Sequence, residues 1–96
     1  MLNKKEVEMS RFKIVKEEYK TDYMEAVKIK AIDENGKEIF GANCTVYRDK
    51  SPFDLTWTRW NIDWPTSGGG TYEEKLPHFE VIRIGMEELT KKESIN

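Results

Sequence analysis

The chain has 96 residues, of which 38% are hydrophobic and 35% charged, and its net charge is −2. This length accommodates one domain near the lower size limit for a stable core, and the aromatic content argues against a disordered chain. The balanced charge argues against a broad electrostatic attraction to long duplex nucleic acid or to anionic membranes.

The ends of the chain predict little regular structure. Residues 1–10 are charged and weakly patterned, so we expect a flexible tail or short helix, then a single domain over 11–93 and a tail over 94–96. Nothing near Met1 resembles a signal peptide, and Met9 is an alternative start. No segment has the roughly 20 apolar residues of a membrane span. Because Cys44 is the single cysteine and cannot form an internal disulfide, we expect a cytoplasmic protein.

A β-hairpin is the clearest structural prediction. After a first strand from Phe12 to Lys16, Val27 and Ile29 alternate with lysines, which indicates a strand with one buried face. Asn35-Gly36 then favours a tight type I′ turn. The returning strand is expected to place four residues on one face: Phe40, Ala42, Cys44 and Val46.

The three tryptophans, Trp57, Trp60 and Trp64, lie within eight residues and precede a Pro65–Gly70 loop. The β-forming composition predicts a strand from about Leu55 to Asp63, with Trp60 and Trp64 on one face. Trp57 and Arg59 would then lie on the other face, beside Tyr47 if the strands are neighbours.

A helix is the alternative for this segment. Ser51-Pro52 resembles a helix start with proline at the first helical position. Phe53, Trp57, Trp60 and Trp64 would then form a helical stripe. Composition favours the strand and spacing favours the helix; the strand is the interpretation we adopt.

The C-terminal region predicts an amphipathic helix from about His78 to Lys92. Its apolar positions recur at helical spacing: Phe79, Ile82, Met86 and Leu89. A capping-box pattern over 71–74 precedes it but is interrupted by Pro77. A last strand over 79–84 is the alternative. The predicted fold class is therefore α+β: a small antiparallel sheet of about four strands with a C-terminal amphipathic helix packed on one face.

The chain contains few of the residues that commonly serve in catalysis or metal binding. A zinc site needs several Cys or His ligands, and the chain offers Cys44 and His78. Cys44 is expected to be buried mid-strand and His78 to be exposed at a helix end, so no catalytic pair is expected. The Gly68–Gly70 loop lacks the lysine of a phosphate-binding loop, although glycine amides can still hold an anion. We expect no enzyme activity, no metal and no cofactor.

The residue inventory favours a small binding protein. The first hypothesis is a protein-interaction module or inhibitor that uses exposed aromatic residues of the Trp57–Trp64 segment and binds a protein partner not identified by the sequence. The alternative is a protein that binds or sequesters a small nucleotide by tryptophan stacking, Arg59 and the glycine loop. A homodimer is also expected, because the core is small. The composition is shared by small regulators of phages and mobile elements, which is an association by composition alone. The candidate binding residues are Trp57, Arg59, Trp60, Tyr47, Arg48, Gly68, Gly69 and Gly70.

Overall fold

The computed structural model describes residues 12–65 and 71–94, which form one antiparallel sheet and one helix. The elements are β1 (Phe12–Lys20), β2 (Met24–Asp33), β3 (Glu38–Asp49), β4 (Asn61–Asp63) and α1 (Tyr72–Ser94). The strands lie in the order β1-β2-β3-β4, and α1 packs on one face, mainly against β3. The predicted α+β fold is confirmed, and β1 continues to Lys20 instead of ending at Lys16. The tail predicted over 1–10 lies outside the described residues.

The predicted β2–β3 hairpin is confirmed, but its turn is not of the predicted type. A type I′ turn needs a positive φ at both central residues, and only Gly36 has one, at 80°. The Asp33 carboxylate accepts hydrogen bonds from the backbone N–H groups of Asn35, at 2.8 Å, and Lys37, at 2.9 Å. The turn is therefore stabilised by Asp33, which the sequence prediction left out, and needs glycine at one position only.

A bulge in β3 changes which side chains face the helix. Between the ladder pairs on either side of Ala31, β3 has the four residues 39–42. Gly41 has a φ of 79°, so it adopts the bulged conformation at little cost. Across the bulge, β3 therefore has three residues more than β2. Because side chains alternate between the two faces of a strand, this odd number reverses which residues of β3 face the helix. Ile39 packs against the core, while Phe40 is 98% exposed, so its predicted place on the buried face is wrong.

The tryptophan segment is mostly irregular. Of the strand predicted over Leu55–Asp63, only β4 is regular, and Trp57 makes an isolated bridge with Lys50. The helix alternative is wrong. The strand cannot begin at Leu55 because that residue has a φ of 58°, which interrupts an extended backbone.

Helix α1 begins at Tyr72, so the predicted start at His78 and the alternative strand over 79–84 are both wrong. The capping box is present: the Glu74 N–H donates to the Thr71 hydroxyl at 3.2 Å, and the Thr71 N–H donates to the Glu74 carboxylate at 3.4 Å. Pro77 does not end the helix. It deprives only the Glu73 carbonyl of a helical partner, and Glu73 is exposed, where water can bond that carbonyl.

The core lies between the sheet and α1. Its buried members are Val27, Ile29, Ala31, Ala42, Cys44, Val46, Trp60 and Val81. A side chain at Gly85 would place its Cβ 2.6 Å from the Cys44 sulfur, so glycine is what lets the helix approach the sheet this closely. The predicted apolar stripe of the helix is partly wrong, because Phe79 and Met86 are exposed. Of that stripe, Leu89 does pack against the core.

Candidate functional site

Cationic and aromatic side chains alternate at the end of the sheet where β3 ends. The Arg48 guanidinium lies 4.6 Å from the ring centre of Trp57 and 4.9 Å from that of Trp60. The Lys50 ammonium lies 5.2 Å from the Trp57 ring, and the Lys92 ammonium lies 5.3 Å from the Trp60 ring. All four distances are within the roughly 6 Å over which a cation is attracted to an aromatic face. We name these five residues the cation–aromatic stack.

Three parts of the fold bring the stack together. Arg48 lies near the end of β3, and Trp57 is held beside this strand by its bridge to Lys50. Trp60 comes just before β4 and is only 6% exposed, so it closes the core at this end. Lys92 reaches the Trp60 ring from the last turn of α1. The stack therefore ties the loop after β3 to both the sheet and the helix.

The charge at the centre of the stack is balanced within the protein. Arg48 Nη2 donates to Glu25 Oε1 at 3.1 Å, and the two side chains are only 21% and 20% exposed. Arg48 Nε is buried and has no hydrogen-bond partner among the described residues. Two aromatic faces and one carboxylate thus replace most of the water around this guanidinium. Arg48 therefore bridges the two indoles and keeps 21% of its side chain exposed.

The structure brings together only some of the predicted binding residues. Arg48, Trp57 and Trp60 meet in the stack, so the prediction that Trp57 and Trp60 lie on opposite faces is wrong. Regular alternation does not hold because the chain between them is not a strand. Arg59 is exposed, and its carbonyl accepts a hydrogen bond from the Asn61 side chain at 3.0 Å.

The other predicted binding residues lie elsewhere. Tyr47 pairs with Ala26 and Asn61 and alternates with buried Val46, so it lies on the sheet face away from the helix. The Gly68–Gly70 loop lies outside the described residues.

A tightly bonded loop projects beside the stack. The Ser51 N–H donates to the Thr56 carbonyl at 2.8 Å, and the Leu55 N–H donates back to the Ser51 carbonyl at 2.9 Å. The Asp54 carboxylate accepts from the Thr56 hydroxyl at 2.8 Å and from the Thr56 N–H at 3.1 Å. These Thr56 bonds hold the pKa of Asp54 below its usual value. We name residues 51–56 the apolar-tipped loop, because Phe53 is 95% and Leu55 61% exposed.

Leu55 has an unusual backbone for its residue type. Its φ of 58° is the only positive value at a non-glycine residue among 12–65 and 71–94. A left-handed conformation costs a side-chain-bearing residue about 1–2 kcal/mol. Phe53 and Leu55 were not among the predicted binding residues. The available signal was two apolar side chains within a turn-forming Ser-Pro-Phe-Asp-Leu segment.

Cys44 and His78 do not form a catalytic pair. Cys44 is buried, its Sγ donates to the Val81 carbonyl at 3.5 Å, and burial raises the pKa of its thiol to about 11. His78 lies inside α1, not at the predicted exposed helix end, and its Nε2 lies 3.2 Å from the Phe40 carbonyl oxygen. In the part of the chain that the structure describes, no group of three or more His, Cys, Asp or Glu residues could hold a metal ion.

Comparison of the chain with protein-family models, curated proteins and solved structures finds no match. Among the described residues, no helix combines the length and apolar character that crossing a membrane requires. The fold and this site define a small α+β domain with an internally hydrogen-bonded loop that exposes two apolar side chains.

Proposed function

We propose that the protein is a small, non-enzymatic protein-interaction module, which acts as an inhibitor if the partner surface it covers is a functional site. Its contact residues are Phe53 and Leu55 at the tip of the apolar-tipped loop. The observation behind the proposal is the conformation of Leu55, which combines a left-handed backbone with a solvent-exposed side chain. Backbone strain of this kind concentrates at functional positions.

The rest of the loop favours tight binding. Its backbone is already fixed by hydrogen bonds to Ser51, Asp54 and Thr56, so little conformational entropy is lost when a partner binds. The cation–aromatic stack holds the base of the loop against the core. An aromatic and an aliphatic side chain presented rigidly are the kind of anchor that contributes most of the energy of protein interfaces.

The nucleotide-binding alternative has less support. Stacking a base requires an open indole face, and cations of the protein lie over the rings of both Trp57 and Trp60. Arg48 is already paired with Glu25. We expect no saturable quenching of tryptophan fluorescence when the protein is titrated with mononucleotides or short single strands. Saturable quenching by one ligand class, lost in Arg59→Ala, would favour the alternative instead.

Affinity capture with matched baits tests the proposal. Wild-type protein, Phe53→Ala, Leu55→Gly and the control Phe40→Ala are used to capture proteins from a lysate of the source cells. Phe40 is a suitable control because it is equally exposed but lies in the bulge of β3. We expect a partner that binds wild type and the Phe40 variant and is lost from the two loop variants.

The captured partner is then purified and its dissociation constant measured by calorimetry. Truncating one anchor residue is expected to weaken binding by at least about tenfold. Leu55→Gly is the decisive variant, because glycine favours the same backbone and removes only the side chain. A partner that binds all four proteins equally would refute the assignment of this loop as the contact surface.

A further inference from the structure

Helix α1 is apolar on two sides. One side packs on the sheet through the buried residues Pro77, Val81 and Gly85. Another side carries Tyr72, Phe79 and Met86, which are 70%, 48% and 45% exposed. The rings of Tyr72 and Phe79 lie 5.9 Å apart between centroids, so these two side chains form a continuous aromatic surface.

These exposed residues have the spacing of a coiled coil. Tyr72, Phe79 and Met86 follow one another at seven-residue intervals, which return to nearly the same side of a helix. Ile82 and Leu89 lie three residues after Phe79 and Met86, so they occupy the second apolar position of the same heptads. Ile82 and Leu89 are each half-buried within the single chain, and Leu89 also contacts the core, so each offers only its remaining surface to a second copy. We name Tyr72, Phe79, Ile82, Met86 and Leu89 the helix seam.

The helix seam is complementary to itself when two helices run antiparallel. With a two-fold axis level with residue 84 on the seam side of the helix, Phe79 of one copy would lie opposite Leu89 of the other, and Ile82 opposite Met86. The same register places Lys75 opposite Glu93 at each end. A two-fold interface requires this kind of self-complementarity, and each favourable pair then occurs twice.

The charges at the ends favour this orientation over a parallel one. In a parallel pair, Lys75 would face Lys75 and Glu93 would face Glu93, and like charges across an interface are unfavourable. Arg83, which borders the helix seam, is paired with Glu80 and Glu87 within its own helix. Its positive charge is therefore already balanced within its own helix and does not distinguish the two arrangements.

We propose that two copies of this chain associate through the helix seam as an antiparallel, two-fold symmetric dimer, with Lys75 of each copy paired with Glu93 of the other. The occupant of this apolar surface is thus a second copy of the protein. The apolar-tipped loop is not part of the helix seam, so the dimer is independent of the proposed partner-binding function.

Sedimentation velocity tests whether the dimer forms. The measurement covers about 10 µM to about 1 mM, because interfaces below about 1,200 Å² are commonly weak. We expect the mass to rise from the 11.3 kDa of one chain toward twice that value. Phe79→Glu should remain monomeric throughout, whereas the control Phe40→Glu should dimerise like wild type. A monomer at every concentration, or a dimer unaffected by Phe79→Glu, would overturn the proposal.

A charge exchange tests the antiparallel register. Lys75→Glu and Glu93→Lys are each expected to weaken dimerisation by about tenfold, since each variant places two like-charged pairs at the interface. The double variant restores opposite charges and should return to within about twofold of wild type. Glu93 is exposed and Lys75 is half-buried, and neither belongs to the core, so this test stands even if Phe79→Glu disturbs folding. Failure of the double variant to recover would overturn the proposed register.

Discussion

Each end of the sheet contains a turn residue with a positive φ, but the two ends place different residue types there. At the β2–β3 turn, the positive φ falls on Gly36, where an added Cβ would meet nothing within 4 Å. At the opposite end, a comparable φ falls on Leu55, which carries an exposed side chain. Both turns are closed by an aspartate, Asp33 in one and Asp54 in the other. The turn end thus uses the residue that folding favours, whereas the loop end keeps one that folding disfavours.

The charged groups differ between the two ends in the same way. At the turn end, Lys30 pairs with Glu17 at 2.7 Å and with Glu38 at 2.8 Å, and both carboxylates are more than half exposed. At the loop end, Arg48 and Glu25 are largely shielded from water by the surrounding structure. Exposed pairs of the first kind add little to stability, while a shielded pair is costly to break. The ion pair at the loop end is therefore expected to contribute more to stability than the pairs at the turn end.

The largest effect is expected from Arg48→Ala. This change removes the centre of the cation–aromatic stack and leaves Glu25 without its partner, so the free energy of unfolding should fall by about 2–3 kcal/mol. Urea unfolding measures the change. Lys30→Ala at the turn end is the matched control and should cost clearly less. Equal losses in the two variants would mean that the shielding of the Arg48 pair does not matter.

The second effect comes from placing leucine at the turn end. Gly36→Leu should lower the free energy of unfolding by about 1–2 kcal/mol, because the left-handed backbone now carries a side chain. No steric clash contributes, since the position is open. Gly36→Asn is the control, and urea unfolding should show a smaller loss for asparagine, which tolerates this conformation better. If leucine were accepted there without loss, the contrast between the two ends would disappear.

The reverse change at the loop end should stabilise the protein. Leu55→Gly relieves the backbone strain, and part of the gain is offset by the greater freedom of glycine in the unfolded chain. A net increase of about 0.5–1 kcal/mol in the free energy of unfolding is expected. The same variant is expected to lose partner binding. Thermal and urea unfolding, compared with Leu55→Asn, measure the gain, and a destabilised glycine variant would show that Leu55 is not strained.

The smallest effect concerns the pH dependence of the loop end. Hydrogen bonds from Thr56 lower the pKa of Asp54 in the folded protein, so the carboxylate stabilises the fold fully above the unfolded pKa near 3.8. That contribution is lost as the pH falls through the lower folded pKa. Asp54→Asn keeps an acceptor but cannot titrate. The stability advantage of wild type over this variant should therefore be present at pH 6 and shrink toward pH 2. A difference that stayed constant over this range would contradict the role of the ionised carboxylate.

The regular part of the fold could be predicted because its residues obey local rules. Val27 and Ile29 alternate with lysines, and Asn35-Gly36 marks the reversal, so the hairpin follows from period and turn chemistry. The face of Phe40 could not be predicted in the same way. It depends on the bulge at Gly41, and a glycine within an alternating segment signals a bulge without fixing its extent.

For the helix and the binding residues, prediction was limited by structural information that the sequence does not contain. The capping box lies at the true first turn of α1, but Pro77 was taken to interrupt the helix after it. The sequence does not show that the carbonyl left without a helical partner by Pro77 is exposed to water. Phe79 and Met86 were predicted on the core side because exposed and buried apolar residues have the same spacing along the helix. Arg48 and Trp57 were expected at a binding surface, but their contact with Trp60 depends on the irregular chain between Trp57 and Trp60, which follows no period.

The close approach of α1 to the sheet at Gly85 also makes Cys44 a kinetic reporter. The thiol is the only one in the chain, it lies under the helix, and its pKa near 11 leaves about one molecule in a thousand as thiolate at pH 8. A thiol reagent can therefore modify Cys44 only when the helix lifts from the sheet or the chain unfolds. The labelling rate then measures how often that opening occurs. Labelling that slows as the protein concentration rises would show that self-association holds the helix closed.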